Sequence, residues 1–506
     1  MSHFVDAALF LLFSLVLGAW SLAIAPKNRG FAEALALPAL VFLGFCGFAI
    51  WAVGSLFAFN GAVCAAVFVF TFAAGIAARA RQLQNPFSRL KTAFRGAAFA
   101  EKAFAFYLCL VCAAAFVLTL APPTGNDYDS LVYHLAVPAQ YLREGRIIEL
   151  RFDHHAYFPF ALEMLFGAGL AWRGAIFAKL FHWLMLPLCA ALLVALGARF
   201  GQRKAGFLAA ALFVSMPLAL VEASTAYVDL GFTAFVLGAV WCFLEGRENP
   251  QLALWRNGFF WSGVFCGFAL GTKYFGGLIT IFLGFWLLVE ALRARRFASV
   301  WRFALPVCVL GLPWYLRNEI WVGNPVFPFA YEVFGGQGWT LEMARAYAAD
   351  QAQFGFGRSI ADLVLLPWRL SMTPLSVGVF DGVAKGQPFW PLLPGPPAPP
   401  HTGFFDVRGL FLSSFIGPAF LALGVPALFV KNKPRSLVFC LWFFAFLWAF
   451  WALTSQQIRY LFPALALWSL VCGFGAIRAN NWPLARFVLA FSLGAWLLFS
   501  PFLHLY

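Results

Sequence analysis

Apolar runs of about 17–25 residues alternate with short polar breaks along most of the chain, the pattern of helices that each cross roughly 30 Å of hydrocarbon. The runs predict spans near 4–25, 34–57, 59–78 and 103–121. Further runs follow near 175–198, 205–220, 224–244, 257–271, 275–292, 303–316, 409–430, 436–453, 460–477 and 483–503. Backbone groups in lipid must bond within their own segment, so helices are expected. The ten-residue alternation of a membrane barrel is absent. The expected fold class is an all-α polytopic membrane protein with about fourteen transmembrane helices. The run 157–172 is too short for a comfortable span and is read as an interfacial or re-entrant helix.

Charge assigns the faces. Loops 26–33, 79–102, 199–204, 245–256, 293–302, 431–435 and 478–486 carry most of the Lys and Arg, which marks them as cytoplasmic. Both chain ends and the segment 122–156 are then external. The same crowding explains the formal charge of +14 without a nucleic-acid partner. The chain is 62% hydrophobic and 11% charged, which excludes a soluble domain. Its ten Cys lie in apolar stretches, and the Cys109–Cys112 pair has no second pair beside it, so these are read as small buried hydrophobes.

Five regions result: 1–121, 122–174 as an external loop with interfacial helices, 175–316 as a transmembrane core, 317–408 as a large external loop, and 409–506. The large loop contains helical pieces near 339–355 and 359–370, then a polyproline-like tract at 388–400.

The stretch PPTGNDYDSLVYHLAVPAQY, 122–141, organises the candidate chemistry. Asp127 and Asp129 precede an amphipathic run whose apolar stripe is Leu131, Leu135, Pro138 and Leu142. Asp127 is a candidate N-cap; Asp129 falls in the first turn beside Tyr133 and His134. A carboxylate here can take a proton from an acceptor. Glu222 and Asp229 flank another turn on the same face, and an acid inside a membrane helix is costly unless it is used. Glu163, His154 and His155 are weaker candidates. Lys273, Arg317 with Asn318, and Arg459 are cations on the less basic face, where each asks for an anion; Arg and Lys both suit phosphate. Asp129 and Asp229 are the pair that could hold a divalent metal ion; no cofactor is otherwise indicated.

The order of these pieces, Asp129 to Tyr133, LVYHLAVPAQYLREGRI, YFPF, AYVD, GTKY, LRN…GNPVFPF and RYLFPAL, resembles the GT-C superfamily of membrane glycosyltransferases over Pro122–Pro463. The branch of protein mannosyltransferases and aminoarabinose transferases, glycosyltransferase family 39-like, is the nearest likeness. The resemblance implies a polyprenyl-phosphate sugar donor, an acceptor that is protein, lipid or polysaccharide, and inverting transfer at the external face of a bacterial inner membrane. It implies Asp129 as general base, Asp229 as a second acid, and Lys273, Arg317 and Arg459 as phosphate ligands. The family's Asp-Glu pair reads Asp129–Ser130 here, and about three additional spans precede its usual first one. A transporter or lipid flippase would instead place paired charges at the bilayer midplane. A non-catalytic assembly subunit would tolerate Asp129→Asn.

Overall fold

The computed structural model describes residues 2–124, 127–352, 354–372 and 416–478, with single positions at 483, 487 and 490. The described residues are helical with no strand. Ten of their helices are long and apolar enough to cross a membrane, or eleven if the bent pair Arg203–Val214 and Pro217–Ala223 counts as one span. Two further expected spans are shorter helices, Gly258–Thr272 and Ala419–Leu428. The expected span 483–503 and the tract 388–400 lie outside the described residues, apart from the three single positions. The short helices Leu341–Ala352 and Ile360–Met372 fall where helical pieces were expected.

The chain divides into two compact units. The first comprises Met1–Ala98, Thr119–Ala195 and Ala223–Ala346. Within it, Ser2–Ile24, Phe31–Leu56 and Gly61–Arg79 pack together. Trp20 stacks on Phe72 at 5.4 Å, and its indole N–H donates to the Phe72 carbonyl at 3.1 Å. The helices Asp229–Glu248, Gly258–Thr272, Gly276–Ala294 and Ala298–Val322 form the other part of this core.

A glycine stripe lines the extensive crossing of Gly258–Thr272 with Ala298–Val322. A Cβ on Gly263, Gly267 or Gly271 would lie 2.1 Å from the Phe303 carbonyl oxygen, 2.7 Å from Leu310 and 2.6 Å from Trp314. Spaced four apart, these glycines face one side of their helix and let the backbone of Ala298–Val322 approach. In lipid, where apolar burial between helices gains little, such backbone contact is the main source of association. The stripe ends two residues before Lys273, and its partner helix carries Arg317 and Asn318. Glycine packing therefore sets the spacing between those side chains.

That partner helix runs six residues past the expected end at 316. It stops where Gly323 takes a left-handed backbone, φ 73°, which glycine adopts without a Cβ clash. Arg317 and Asn318 thus sit inside the last turns of a helix and not beyond its end.

Hydrogen bonds sort this unit's connections into two faces. On one, Arg89 donates to the carbonyls of Ala25 and Pro26, Arg29 pairs with Glu245 at 2.6 Å, and Arg302 donates to the Pro250 carbonyl at 2.7 Å. On the other, Phe59 N–H donates to Gly145 O at 2.7 Å, Trp172 Nε1 to Gly61 O at 2.9 Å, and Arg173 pairs with Asp6 at 2.5 Å. Tyr274, Tyr157 and Phe327 meet on that second face. The first face is the basic one, in keeping with the charge-based sorting of the loops.

The second unit comprises Phe99–Leu118, Leu196–Glu222 and Tyr347–Tyr506. Its Phe462–Arg478 helix packs on Arg203–Val214, Ala419–Leu428 and Arg435–Leu453. Trp468 stacks on Phe444 at 4.6 Å and donates to Phe420 O at 3.0 Å. Gln456 clamps the segment before Ile360–Met372, accepting from Phe356 N–H and donating to Gly357 O, both at 2.8 Å. Asp362 and Arg369 bridge that helix at 2.7 Å.

Candidate active site

The polar stretch after Pro122 folds as a short irregular helix. Its first bond runs from Leu131 N–H to the Asp127 carbonyl at 3.1 Å, so Asp127 begins the helix as expected. Its carboxylate does not cap the following turn, however. It turns back to accept from Thr124 N–H at 3.0 Å. Burial pushes the Asp127 carboxyl above its ordinary range, against the opposing pull of that amide and of Lys179.

Residues Ser130–His134 then form a π-turn, closed by Leu135 N–H to Ser130 O at 2.9 Å. Such wide turns concentrate at functional sites, because they redirect the side chains that follow. The redirection is visible in the pattern: Tyr133, His134 and Leu135 are buried in succession, followed by Val137, Pro138 and Tyr141, while Leu131 is 43% exposed. Of the expected stripe, Leu135 and Pro138 are buried, while Leu131 is exposed and Leu142 half-buried. An insertion of one residue per turn breaks the 3.6-residue period on which that expectation rests.

Asp129 is half-buried at the start of this turn, and Tyr133 donates its hydroxyl to Asp129 Oδ2 at 2.9 Å. Tyr133 in turn stacks flat on His155, 4.5 Å between ring centres and 2° between planes. Ser130, fully buried, accepts from Ala226 N–H at 3.0 Å. A serine here thus latches the 223–228 turn onto the residue beside Asp129, where the resembling family has a second acid.

That turn leads into Asp229, the first residue of its helix and 2% exposed. Lys273 Nζ donates to Asp229 Oδ1 at 2.6 Å. Lys273 follows directly on the Gly258–Thr272 helix, at the end of the glycine stripe. Glu163, on the buried side of Ala161–Trp172, takes His134 Nδ1 at 2.8 Å. Burial drives the Glu163 carboxyl well above its ordinary range; nearby Lys273 opposes this and Asp229 adds to it. His134, Glu163, Asp229 and Lys273 are therefore one electrostatic neighbourhood. Two of its oxygens, Glu163 Oε2 and Asp229 Oδ2, are buried with no hydrogen-bond partner.

Arg317 is 7% exposed and largely committed to the chain itself. Its Nη2 donates to Tyr157 O at 2.8 Å and Phe158 O at 2.9 Å, and both Nε and Nη2 reach Asn318 Oδ1. The guanidinium lies over the Trp321 ring at 4.9 Å. Asn318 donates to Tyr157 O at 2.7 Å and to the Tyr274 hydroxyl at 2.9 Å. Together they fasten the 153–158 turn, and Nη1 of Arg317 has no hydrogen bond among the described residues.

Within that turn Asp153 accepts from His155 N–H at 2.9 Å and holds His155 Nδ1 at 2.7 Å. Burial would raise the Asp153 carboxyl, but these bonds outweigh it and hold it below its usual range. Burial pushes the His154 imidazole down to about 4. Asp153, His154 and His155 offer ligand atoms within 4.8 Å of one another, a nitrogen and oxygen set that suits a first-row divalent ion.

Glu222 and Arg459 belong to the second unit. Glu222 is 4% exposed, and Arg459 Nε donates to Gln457 Oε1 at 3.2 Å. Sequence reasoning passed over Lys179 and His182. Lys179 donates to Ala121 O at 2.8 Å, and His182 bridges Thr225 O and Leu230 N–H. Their signal was present: two ionisable residues within the first turns of an apolar span, a costly placement that calls for a polar partner. Here they hold the start of the Asp129 stretch and the Asp229 turn.

The family model for dolichyl-phosphate-mannose-protein mannosyltransferase matches residues 165–322. Comparison with curated protein sequences gives no match. Among solved structures, the crystal structure of ArnT from Cupriavidus metallidurans bound to undecaprenyl phosphate is similar in fold, with a TM-score of 0.50 at 14% identity. The match covers 79% of this chain and 64% of that one, so the chain spans less than two thirds of its length. The apo structure of the same protein matches with a TM-score of 0.45 at 15% identity, over 80% of this chain and 66% of that one.

Proposed function

We propose, from the GT-C superfamily membership that the matched mannosyltransferase segment and the shared fold support, that this chain transfers a sugar from a polyprenyl-phosphate-linked donor to an acceptor. The active site is the face that carries Asp129, directed to the cell exterior, and the transfer inverts the anomeric carbon. The observation that supports this reading is that Ser130, next to Asp129, holds the turn that leads into the buried Asp229–Lys273 pair.

Displacement at an anomeric carbon passes through an oxocarbenium-like state. It needs a base for the incoming group and positive charge for the leaving phosphate. Asp129 takes the acceptor's proton as the acceptor forms its bond to the anomeric carbon. The bond from that carbon to the phosphate oxygen breaks, and polyprenyl phosphate leaves. Tyr133 orients the Asp129 carboxylate by its hydrogen bond to Oδ2. Lys273 meets the phosphate as a point charge held in place by Asp229. Arg317 acts mainly by fastening the 153–158 turn, with Nη1 as its remaining donor.

The test is transfer from a polyprenyl-phosphate sugar in membranes bearing Asp129→Asn. Asparagine keeps the size and an acceptor for Tyr133 but cannot take a proton. A loss of at least about a hundredfold at normal expression is expected from removal of a general base. Near-normal turnover would remove Asp129 from that role.

A further inference from the structure

The amphipathic helix Pro86–Gly96 on the basic face, PFSRLKTAFRG, takes no part in the site described above. It has no buried residue. Pro86, Arg89 and Ala93 are its least exposed positions. They turn toward Ser2–Ile24 and Phe31–Leu56, where Arg89 donates to Ala25 O and Pro26 O. The adjoining side is oily: Phe87 is 78% exposed, Leu90 50% and Phe94 64%. At ~100° per residue these three fall on one arc about 60° wide. Lys91 and Arg95 border that arc on its far side. Both are exposed, and neither has a hydrogen bond or ion pair among the described residues.

The helix is about 16 Å long, too short to cross a bilayer. In the chain it lies between two candidate spans, Gly61–Gln82 and Phe99–Thr119, which hold its ends near the membrane surface. An apolar arc bordered on its free side by uncompensated cations, at the level where a span ends, matches the boundary between acyl chains and headgroups. Water does not suit Phe87 and Leu90, and an uncharged leaflet leaves Lys91 and Arg95 without anions.

We propose that the Pro86–Gly96 helix is an interfacial helix that selects acidic phospholipid in the leaflet of the basic face. Phe87 and Leu90 enter the acyl boundary, and Lys91 and Arg95 hold the phosphodiester headgroups of neighbouring acidic lipids. Arg89 ties the helix to the connection after Ile24, so the lipid contact fixes the N-terminal helices against the leaflet.

The experiment uses the full chain in phosphatidylcholine nanodiscs, with spin-labelled phosphatidylglycerol and spin-labelled phosphatidylcholine as probes. The wild type is expected to favour the acidic probe. The double variant Lys91→Glu/Arg95→Glu should lower that preference by at least about fivefold, the effect of roughly one charge near an acidic surface. Arg345→Glu, an exposed cation outside this helix, controls for net charge and should leave the preference unchanged. A second readout is trypsin cleavage at Lys91 and Arg95, which acidic vesicles should suppress relative to neutral ones. Phe87→Ser/Leu90→Ser should restore that cleavage. If the double glutamate variant is not monodisperse, Lys91→Gln/Arg95→Gln should lower the preference by an intermediate factor. An unchanged preference in both pairs of variants, cleavage indifferent to lipid charge, or a second protein crosslinked over this helix in native membranes would overturn the proposal.

Discussion

The Asp229–Lys273 pair separates a phosphate-binding lysine from one that only neutralises a buried acid. Asp229 is 2% exposed and Lys273 Nζ lies 2.6 Å from its Oδ1, while the Lys273 side chain is 18% exposed. Lys273→Met removes the cation and leaves a carboxylate buried beside Glu163. Breaking one side of a buried pair costs about 3–5 kcal/mol. The partial exposure of Lys273 argues for the lower end, about 3 kcal/mol, or roughly a hundredfold in the folding equilibrium. Asp229→Asn/Lys273→Met removes both charges and should recover most of that stability, because no uncompensated charge stays buried. Stability is read by denaturant unfolding in mixed micelles, and activity by transfer from a polyprenyl-phosphate sugar in the same preparation. The expected result is a double variant that is stable yet transfers at least about a hundredfold more slowly, with weakened donor affinity. A double variant that regains both stability and transfer would refute the phosphate role of Lys273 and leave it as a counter-ion.

Two further outcomes follow from the geometry. Gly267→Leu should fail to assemble or should destabilise by several kcal/mol, since even its Cβ would meet Leu310 at 2.7 Å; detergent stability near wild type would mean that the two helices are not held by close backbone approach. The second concerns pH: because the folded His154 is pushed down to about 4 from an ordinary 6.5, the unfolded chain binds its proton first as pH falls. Its contribution is present above about pH 6.5 and is lost progressively as pH falls toward 4. His154→Gln should flatten that part of the stability–pH curve, and a curve of unchanged slope would show that another group sets it.

The helical architecture was legible because it follows from length and hydropathy alone. Most spans fell within a few residues of their helices, and 161–172 emerged as a 12-residue helix, as its short apolar run implied. Three features were less legible. The π-turn at Ser130–His134 carries no composition signal, so the successive burial of Tyr133, His134 and Leu135 does not follow from a 3.6-residue period. The extension of a helix through Arg317 and Asn318 depends on where a glycine first accepts a left-handed backbone, and polarity alone suggested an earlier stop. The role of Arg317 depends on which carbonyls come within reach, and those belong to Tyr157 and Phe158, 160 residues away in the chain. A charge's presence on a face was readable from sequence, whereas its partner was not.

The partner matters more than the face for how this site can work. Each ionisable group in it is restrained by a different element: Asp129 by Tyr133, His134 by Glu163, Lys273 by Asp229, and Arg317 by the 153–158 turn. The Asp129–Tyr133 bond lies within one turn; the other restraints join segments distant in sequence, and Lys179 and His182 brace two of the connections. An electrostatic site of this kind gains from being fixed before substrate arrives, since dipoles and charges already in place need no reorganisation as the leaving phosphate develops charge. The glycine stripe serves the same end from within the core, by fixing two backbones at a separation that side chains would otherwise widen. A loosened stripe should therefore harm catalysis before it unfolds the protein, because Lys273 and Arg317 would drift apart while each kept its own local bonds.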